Sequence, residues 1–290
     1  MISIEHEKRQ KPTNDPLFRD SLYFNAFDPV RKIGISTSIG LRPNLGQAEV
    51  AFIIFKENEI LLPYVEAGLE IPESDWDKMC IGNVCYRWLK PLEEFKISYT
   101  SNAFKANLVW TAITPFFDYS KNIQQLPEIV YSLHYEQAGR VVGEIDYGGE
   151  YLAFKGYGIR DHSAGVRDWN RIDRWYFVSG IFEEDFIFCL WTVNVKGEEK
   201  TGGWVYKGGK MIGVAAAQYN LKYKDVKKTQ HIGGEIRFVD DNGKEYNVTS
   251  DVITKIFPFD FGQTVLNEAY AEYRYNGRVG YGLFELLWRK

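Results

Sequence analysis

The chain has 290 residues, enough for two domains and a substantial buried core. Its formal charge of -4 leaves no basic excess for nucleic-acid phosphates, and no apolar run is long enough for a membrane-spanning helix. Aromatic residues make up 16% of the chain, an enrichment that suits strands and the walls of apolar pockets.

Residues 1–16 are polar and of mixed charge, without the apolar centre of a secretory signal, which predicts a cytoplasmic protein. Cys80, Cys85 and Cys189 are odd in number and lack the spacing of a redox or zinc pair, so a reducing compartment is expected. The aromatic cluster at 22–27, ending at Asp28-Pro29, predicts a first strand, and 33–41 a second, stopped by Arg42-Pro43-Asn44-Leu45-Gly46. Residues 50–55 and 60–65 flank Glu57-Asn58-Glu59 as a hairpin would. Strands follow at 84–89, 95–100 and 108–113, and the polar stretch 122–128 reads as a surface loop or lid.

From Ile129 the pattern is a meander: 129–136, 141–147 and 151–157, with turns expected at Gly139 and Gly148-Gly149. Residues 174–180, 186–195, 203–206 and 210–219 continue it. The strand 233–240 turns at Asn242-Gly243, and 269–275 turns at Asn276-Gly277 into 280–288. No long stretch has helical periodicity, so the class is all-β, and more than a dozen short strands predict two antiparallel barrels or sandwiches in tandem. The strand pattern breaks at Asn122–Pro127 and again after Tyr157, the two candidate boundaries; the first gives the expected domains 1–126 and 127–290.

Residues 156–169 read Gly-Tyr-Gly-Ile-Arg-Asp-His-Ser-Ala-Gly-Val-Arg-Asp-Trp. No other stretch is so dense in proton donors and acceptors, and after Ile159 it has neither hydrophobic period. It is therefore expected to be a functional loop at the end of a strand, or a polar turn whose Arg and Asp pair with one another. Asp161 next to His162 suits an acid and its partner or base, with Glu136 and Glu285 as further candidate carboxylates. Arg160 and Arg167 suit loop organisation or an anionic substrate group. Tyr157, Ala164, Trp169 and Tyr281 are the expected substrate contacts. Each residue has a structural counterpart: Asp161 accepting turn amides, Arg167 paired with Asp168 or Glu184, Trp169 in a core. Gly156-Tyr157-Gly158 recurs as Gly280-Tyr281-Gly282, a weak internal echo.

Histidines at 6, 134, 162 and 231 have no metal-ligand spacing, and phosphate loop, dinucleotide fingerprint and serine elbow are all lacking. Neither metal nor cofactor is expected.

The 156–169 stretch resembles the hallmark of the AttH and carotenoid 1,2-hydratase superfamily. Supporting matches are Ile39-Gly-Leu-Arg42-Pro43-Asn44, Glu136-Gln137, and Gly277-Arg278-Val-Gly280-Tyr281-Gly282-Leu-Phe-Glu285. The resemblance implies tandem lipocalin-like β-barrels and cofactor-free hydratases and cyclases of terpenoid-like substrates, or pericyclases of polyketide-like ones. Relatives usually carry a Trp after the His-Ser pair, where this chain has Ala164, which implies a pocket of different shape. The expected function is acid/base chemistry on a hydrophobic terpenoid- or lipid-like molecule, without nucleic acid and with at most transient membrane contact. The alternatives are a non-catalytic lipid carrier and a pericyclase that works by shape.

Overall fold

The computed structural model describes residues 2–121 and 133–290. Of these, the first unit comprises residues up to 55, 60–120 and 133–167, and the second 56–59, 121 and 168–290. The boundary expected at 126/127 lies outside the described residues. Residues 133–166, which follow it, hydrogen-bond into the first sheet, and the chain passes to the second unit between Arg167 and Asp168.

The first unit opens with a one-turn helix, α1 (Ile4–Glu7). Eleven strands follow: β1 (Phe18–Asp28), β2 (Ile33–Arg42), β3 (Gln47–Lys56), β4 (Glu59–Glu70), β5 (Lys78–Ile81), β6 (Val84–Lys90), β7 (Glu94–Thr100), β8 (Phe104–Ala112), β9 (Phe117–Asp118), β10 (Leu133–Tyr147) and β11 (Glu150–Val166). Their order is β4-β3-β2-β1-β11-β10-β8-β7-β6-β5, with β9 on β10. Alternate residues fill the core: Leu22, Phe24 and Ala26 from β1, Phe95 and Ile97 from β7, Leu108 and Trp110 from β8, Val141 and Ile145 from β10. Cys80 and Cys85 are register partners across the β5–β6 hairpin and form a disulfide, while Cys189 is buried and free. A spacing unlike a redox motif in sequence thus becomes a cross-strand pair once the hairpin forms.

The second unit contains β12 (Arg174–Phe182), β13 (Phe186–Val195), β14 (Glu198–Lys207), β15 (Lys210–Tyr223), β16 (His231–Asp240), β17 (Glu245–Val252), β18 (Phe257–Asp260), β19 (Thr264–Tyr275) and β20 (Arg278–Arg289). Pairing of β17 with β19 and of β20 with β12 closes a barrel, whose core includes Val178, Phe188, Phe238, Tyr273 and Phe284. Two tandem antiparallel barrel sheets are therefore the architecture. No helix among the described residues is long and apolar enough to cross a membrane.

The stretch expected to be a loop is strand, for β11 runs unbroken to Val166. The two-residue period persists there, but polar groups occupy both faces, so hydrophobicity does not alternate. Its glycines are not turn-makers either. A Cβ on Gly158 would lie 1.6 Å from the Asn25 carbonyl, and one on Gly156 2.2 Å from that of Phe27. Gly282 repeats the device, its Cβ falling 2.0 Å from the Ser179 carbonyl. The echo is therefore structural: in each unit the last strand meets the first through Gly-Tyr-Gly, β11 on β1 and β20 on β12. Gly139 likewise lies within β10, where a Cβ would strike the indole of Trp110, whereas Gly148-Gly149 is a turn with both residues at positive φ.

Candidate functional site

Strand alternation divides the motif of β11 between two faces. Arg160, His162 and Ala164 join the core side with Leu22 and Phe24, while Asp161 and Ser163 lie on the opposite face with Tyr23 and Ser21. The expected partnership of Asp161 with its neighbour His162 is broken by this geometry.

On the outer face, register sets Glu136 beside Asp161 and His134 beside Ser163. Glu136 is fully buried; Tyr119 Oη donates to its Oε2 at 2.8 Å, and His134 Nε2 lies 2.9 Å from Oε1. Ser163 Oγ accepts from Arg167 Nη2 at 3.3 Å and lies 3.2 Å from Ser21 Oγ, which Arg19 Nη1 contacts at 2.6 Å. Asp161 is half-buried, and among the described residues no hydrogen bond reaches its carboxyl. Burial pushes that carboxyl above its ordinary range and the Glu136 charge adds to the effect, while His134, Arg167 and Arg19 oppose it. The result is a carboxyl biased toward its protonated form, largely buried and flanked by a hydrogen-bonded carboxylate–imidazole pair.

The inner face carries a separate network. His162 Nε2 lies 2.7 Å from Asp20 Oδ1, and Asp20 Oδ2 accepts from Trp76 Nε1 at 3.2 Å and the Gln10 amide at 2.8 Å. Tyr135 Oη lies 3.1 Å from His162 Nδ1 and donates to Glu7 Oε1 at 2.6 Å. Arg160 donates from Nη2 to the same Glu7 oxygen at 2.7 Å and from Nε to Gln137 Oε1 at 3.1 Å. Burial and the Glu7 charge push the Tyr135 phenol well up, against the Arg160 charge. Glu7, Arg160 and His162 are fully buried, and Ala164 stands opposite Asp20.

The remaining expected residues are dispersed. Tyr157 pairs with Phe27, four positions along β1 from the partner of Asp161. Trp169, Tyr281 and Glu285 belong to the second unit. There Trp169 stacks on Phe261 at 5.3 Å, Tyr281 Oη donates to Glu272 Oε2 at 3.3 Å, and Glu285 accepts from Trp175 Nε1 at 2.6 Å. A cleft of about 730 Å³ lined by Arg237, Phe238, Tyr246 and Tyr275 contains none of them. Sequence reading missed His134, Tyr119, Asp20, Tyr135 and Glu7. His134-x-Glu136 is the one legible signal, since residues two apart on a strand share a face. Among the described residues, no group of three or more His, Cys, Asp or Glu could hold a metal ion.

A family model described as a domain of unknown function, DUF7064, matches residues 3–290. The chain belongs to the DUF7064 family. No curated protein sequence matches it. In three dimensions the family's fold is shared with an AttH-type protein of Nitrosomonas europaea, at TM-score 0.68 and 10% identity over 93% of this chain and 92% of that one. It is shared also with kievitone hydratase of Nectria haematococca, at TM-score 0.67 and 11% identity over 92% and 88% of the two chains. CghA bound to Sch210972 aligns at TM-score 0.65 and 9% identity, over 95% and 89%. The resemblance to AttH-like, lipocalin-like proteins is thus borne out as a shared fold.

Proposed function

We propose that this DUF7064 chain is an acid/base enzyme, a hydratase, isomerase or cyclase of a hydrophobic terpenoid- or lipid-like substrate, with Asp161 as the proton donor. The observation that carries the reading is the half-buried Asp161 carboxyl, pushed up by burial and by Glu136 and left without a hydrogen bond among the described residues. A carboxyl shifted toward its protonated form can donate to an alkene carbon or a carbonyl oxygen. Water or an internal π bond then captures the cation, and the proton released returns to Asp161 or passes to the His134–Glu136 pair. Arg167 and Arg19, close enough to oppose the shift of Asp161, hold the carboxylate formed after transfer. His162 has no part in this reading. The shared fold with kievitone hydratase agrees with it without fixing the substrate.

The test compares hydrophobic material extracted from purified wild type and Asp161→Asn by mass spectrometry, followed by turnover of whatever compound is found. Conversion by wild type with an unchanged compound on the variant supports the assignment. Equal conversion by both proteins removes Asp161 from the mechanism and favours a pocket that acts by shape, whereas an unaltered lipid on both identifies a carrier.

A further inference from the structure

The inner network of the first barrel is not demanded by the architecture. The positions of the second barrel equivalent to Arg160, His162 and Gln137, by register from Gly158 and Gly282, are Phe284, Leu286 and Ala269, all buried and apolar. A barrel of this kind closes around hydrocarbon, so the charged interior of the first unit calls for its own explanation.

Glu7 meets Arg160 with one oxygen only. Both Nη2 of Arg160 and the Tyr135 hydroxyl converge on Oε1, while Glu7 Oε2 and Arg160 Nη1 are buried without a partner. A guanidinium and a carboxylate free to orient form a two-pronged pair that satisfies all four atoms. Glu7, carried by the single turn α1, does not reach that geometry. Trp110 Nε1 is a further buried donor without a partner. The guanidinium is ringed by Phe95, Trp110, Phe116 and Tyr135, with its carbon 4.6 to 5.6 Å from their centroids. The rings accept apolar groups beside the anion, and the guanidinium repels a second cation.

The segment bearing Glu7 is lightly attached. Ser3, Ile4 and Glu5 are exposed, and long-range bonds to its backbone are few: the Arg9 amide to Asp75 Oδ1 at 2.7 Å, the Gln10 amide to Asp20 Oδ2 at 2.8 Å, and Tyr135 Oη to the His6 carbonyl at 3.3 Å. Segments with so few ties open at low cost relative to global unfolding.

We propose that Arg160 and Tyr135 form a binding site for a carboxylate borne on an apolar body, and that Glu7 is an internal surrogate which such a ligand displaces. This site is distinct from Asp161, which lies on the other face of β11.

The probe is dodecanoate, titrated calorimetrically into the full chain, with dodecanol as the uncharged control. In Glu7→Gln the amide nitrogen competes poorly for the guanidinium, so dodecanoate binds about tenfold more tightly than to wild type or better. Adding Arg160→Met to Glu7→Gln abolishes the gain. Hydrogen exchange on the wild type supplies a readout that needs no variant to fold: saturating dodecanoate accelerates exchange at residues 3–10. Equal affinity of Glu7→Gln and wild type, dodecanol binding as tightly as dodecanoate, or unaltered exchange at 3–10 would each overturn the proposal.

Discussion

The β10–β11 hairpin of the first unit and the β19–β20 hairpin of the second are built to one plan and filled differently. Each passes its last strand over the first through Gly-Tyr-Gly, and each sets two carboxylates side by side, Glu136 with Asp161 and Glu268 with Glu285. Even the seam bond recurs: the Ile159 amide donates to Asn25 Oδ1 at 3.2 Å and the Leu283 amide to Ser179 Oγ at 3.4 Å. The inner positions diverge, charged and hydrogen-bonded in one unit, apolar in the other. Glycine at the close approach is thus what the fold requires, and the polar filling of the first unit is an addition that function explains better than stability.

The largest difference between the hairpins is expected in chemistry. Asp161→Asn removes the proton donor and lowers turnover by about 10² to 10⁴, measured as product formed at saturating substrate, with an unchanged circular dichroism spectrum. Retained turnover would leave Asp161 with no more than a structural place.

Stability separates them next. Arg160→Met leaves Glu7 without its guanidinium and costs about 1–3 kcal/mol, a loss limited by the low cost of opening residues 3–10, and pairing it with Glu7→Leu recovers most of it. Phe284→Leu, at the equivalent position of the second barrel, costs only about 1 kcal/mol. Urea unfolding of the three variants decides whether the buried pair behaves as coupled.

Acid sharpens the contrast from the other side. His231 is buried in the second barrel with Nε2 bonded to the Phe284 carbonyl at 3.0 Å, and burial pushes its imidazole down to about 4. The neutral ring is favoured in the fold. Its contribution is therefore complete above the ordinary histidine range and is lost as pH falls from about 6.5 toward 4, a change of about 3 kcal/mol. His231→Leu should flatten that part of the stability profile; an unchanged slope would assign the acid sensitivity to other groups.

The smallest effect concerns Asp161 itself. Its carboxyl is raised in the fold, so the stability it permits is present at low pH and declines as pH rises through the folded value. Asp161→Asn should raise the thermal midpoint at pH 8 and leave it unchanged at pH 3. A lower midpoint at pH 8 would mean that the arginines outweigh the burial.

Local signals in the chain were sufficient for strands and turns. Gly148-Gly149 and Asn276-Gly277 turn because they accept positive φ, and the apolar alternation between such turns leaves little but antiparallel sheet. Asp161, Glu136 and Arg167 were also legible as a chemical set, and register with the charges around Asp161 brings them together. The separation of His162 from Asp161 was not legible, because adjacency in sequence means opposite faces in a strand, and nothing in a run of polar residues shows that it is a strand. Asp20 and Glu7 were out of reach, since their partners stand 142 and 153 positions away.

The sequence by itself therefore determined the class of the protein, its turns and its density of acid/base groups, because these follow from the preferences of single residues and their neighbours. Tertiary structure alone decided where the first unit ends, which face of β11 each motif residue takes, and that Glu7 enters the core against Arg160. Those outcomes depend on pairing between distant strands, and burial together with the charges packed alongside turns an ordinary carboxylate, phenol or imidazole into one with a shifted proton affinity.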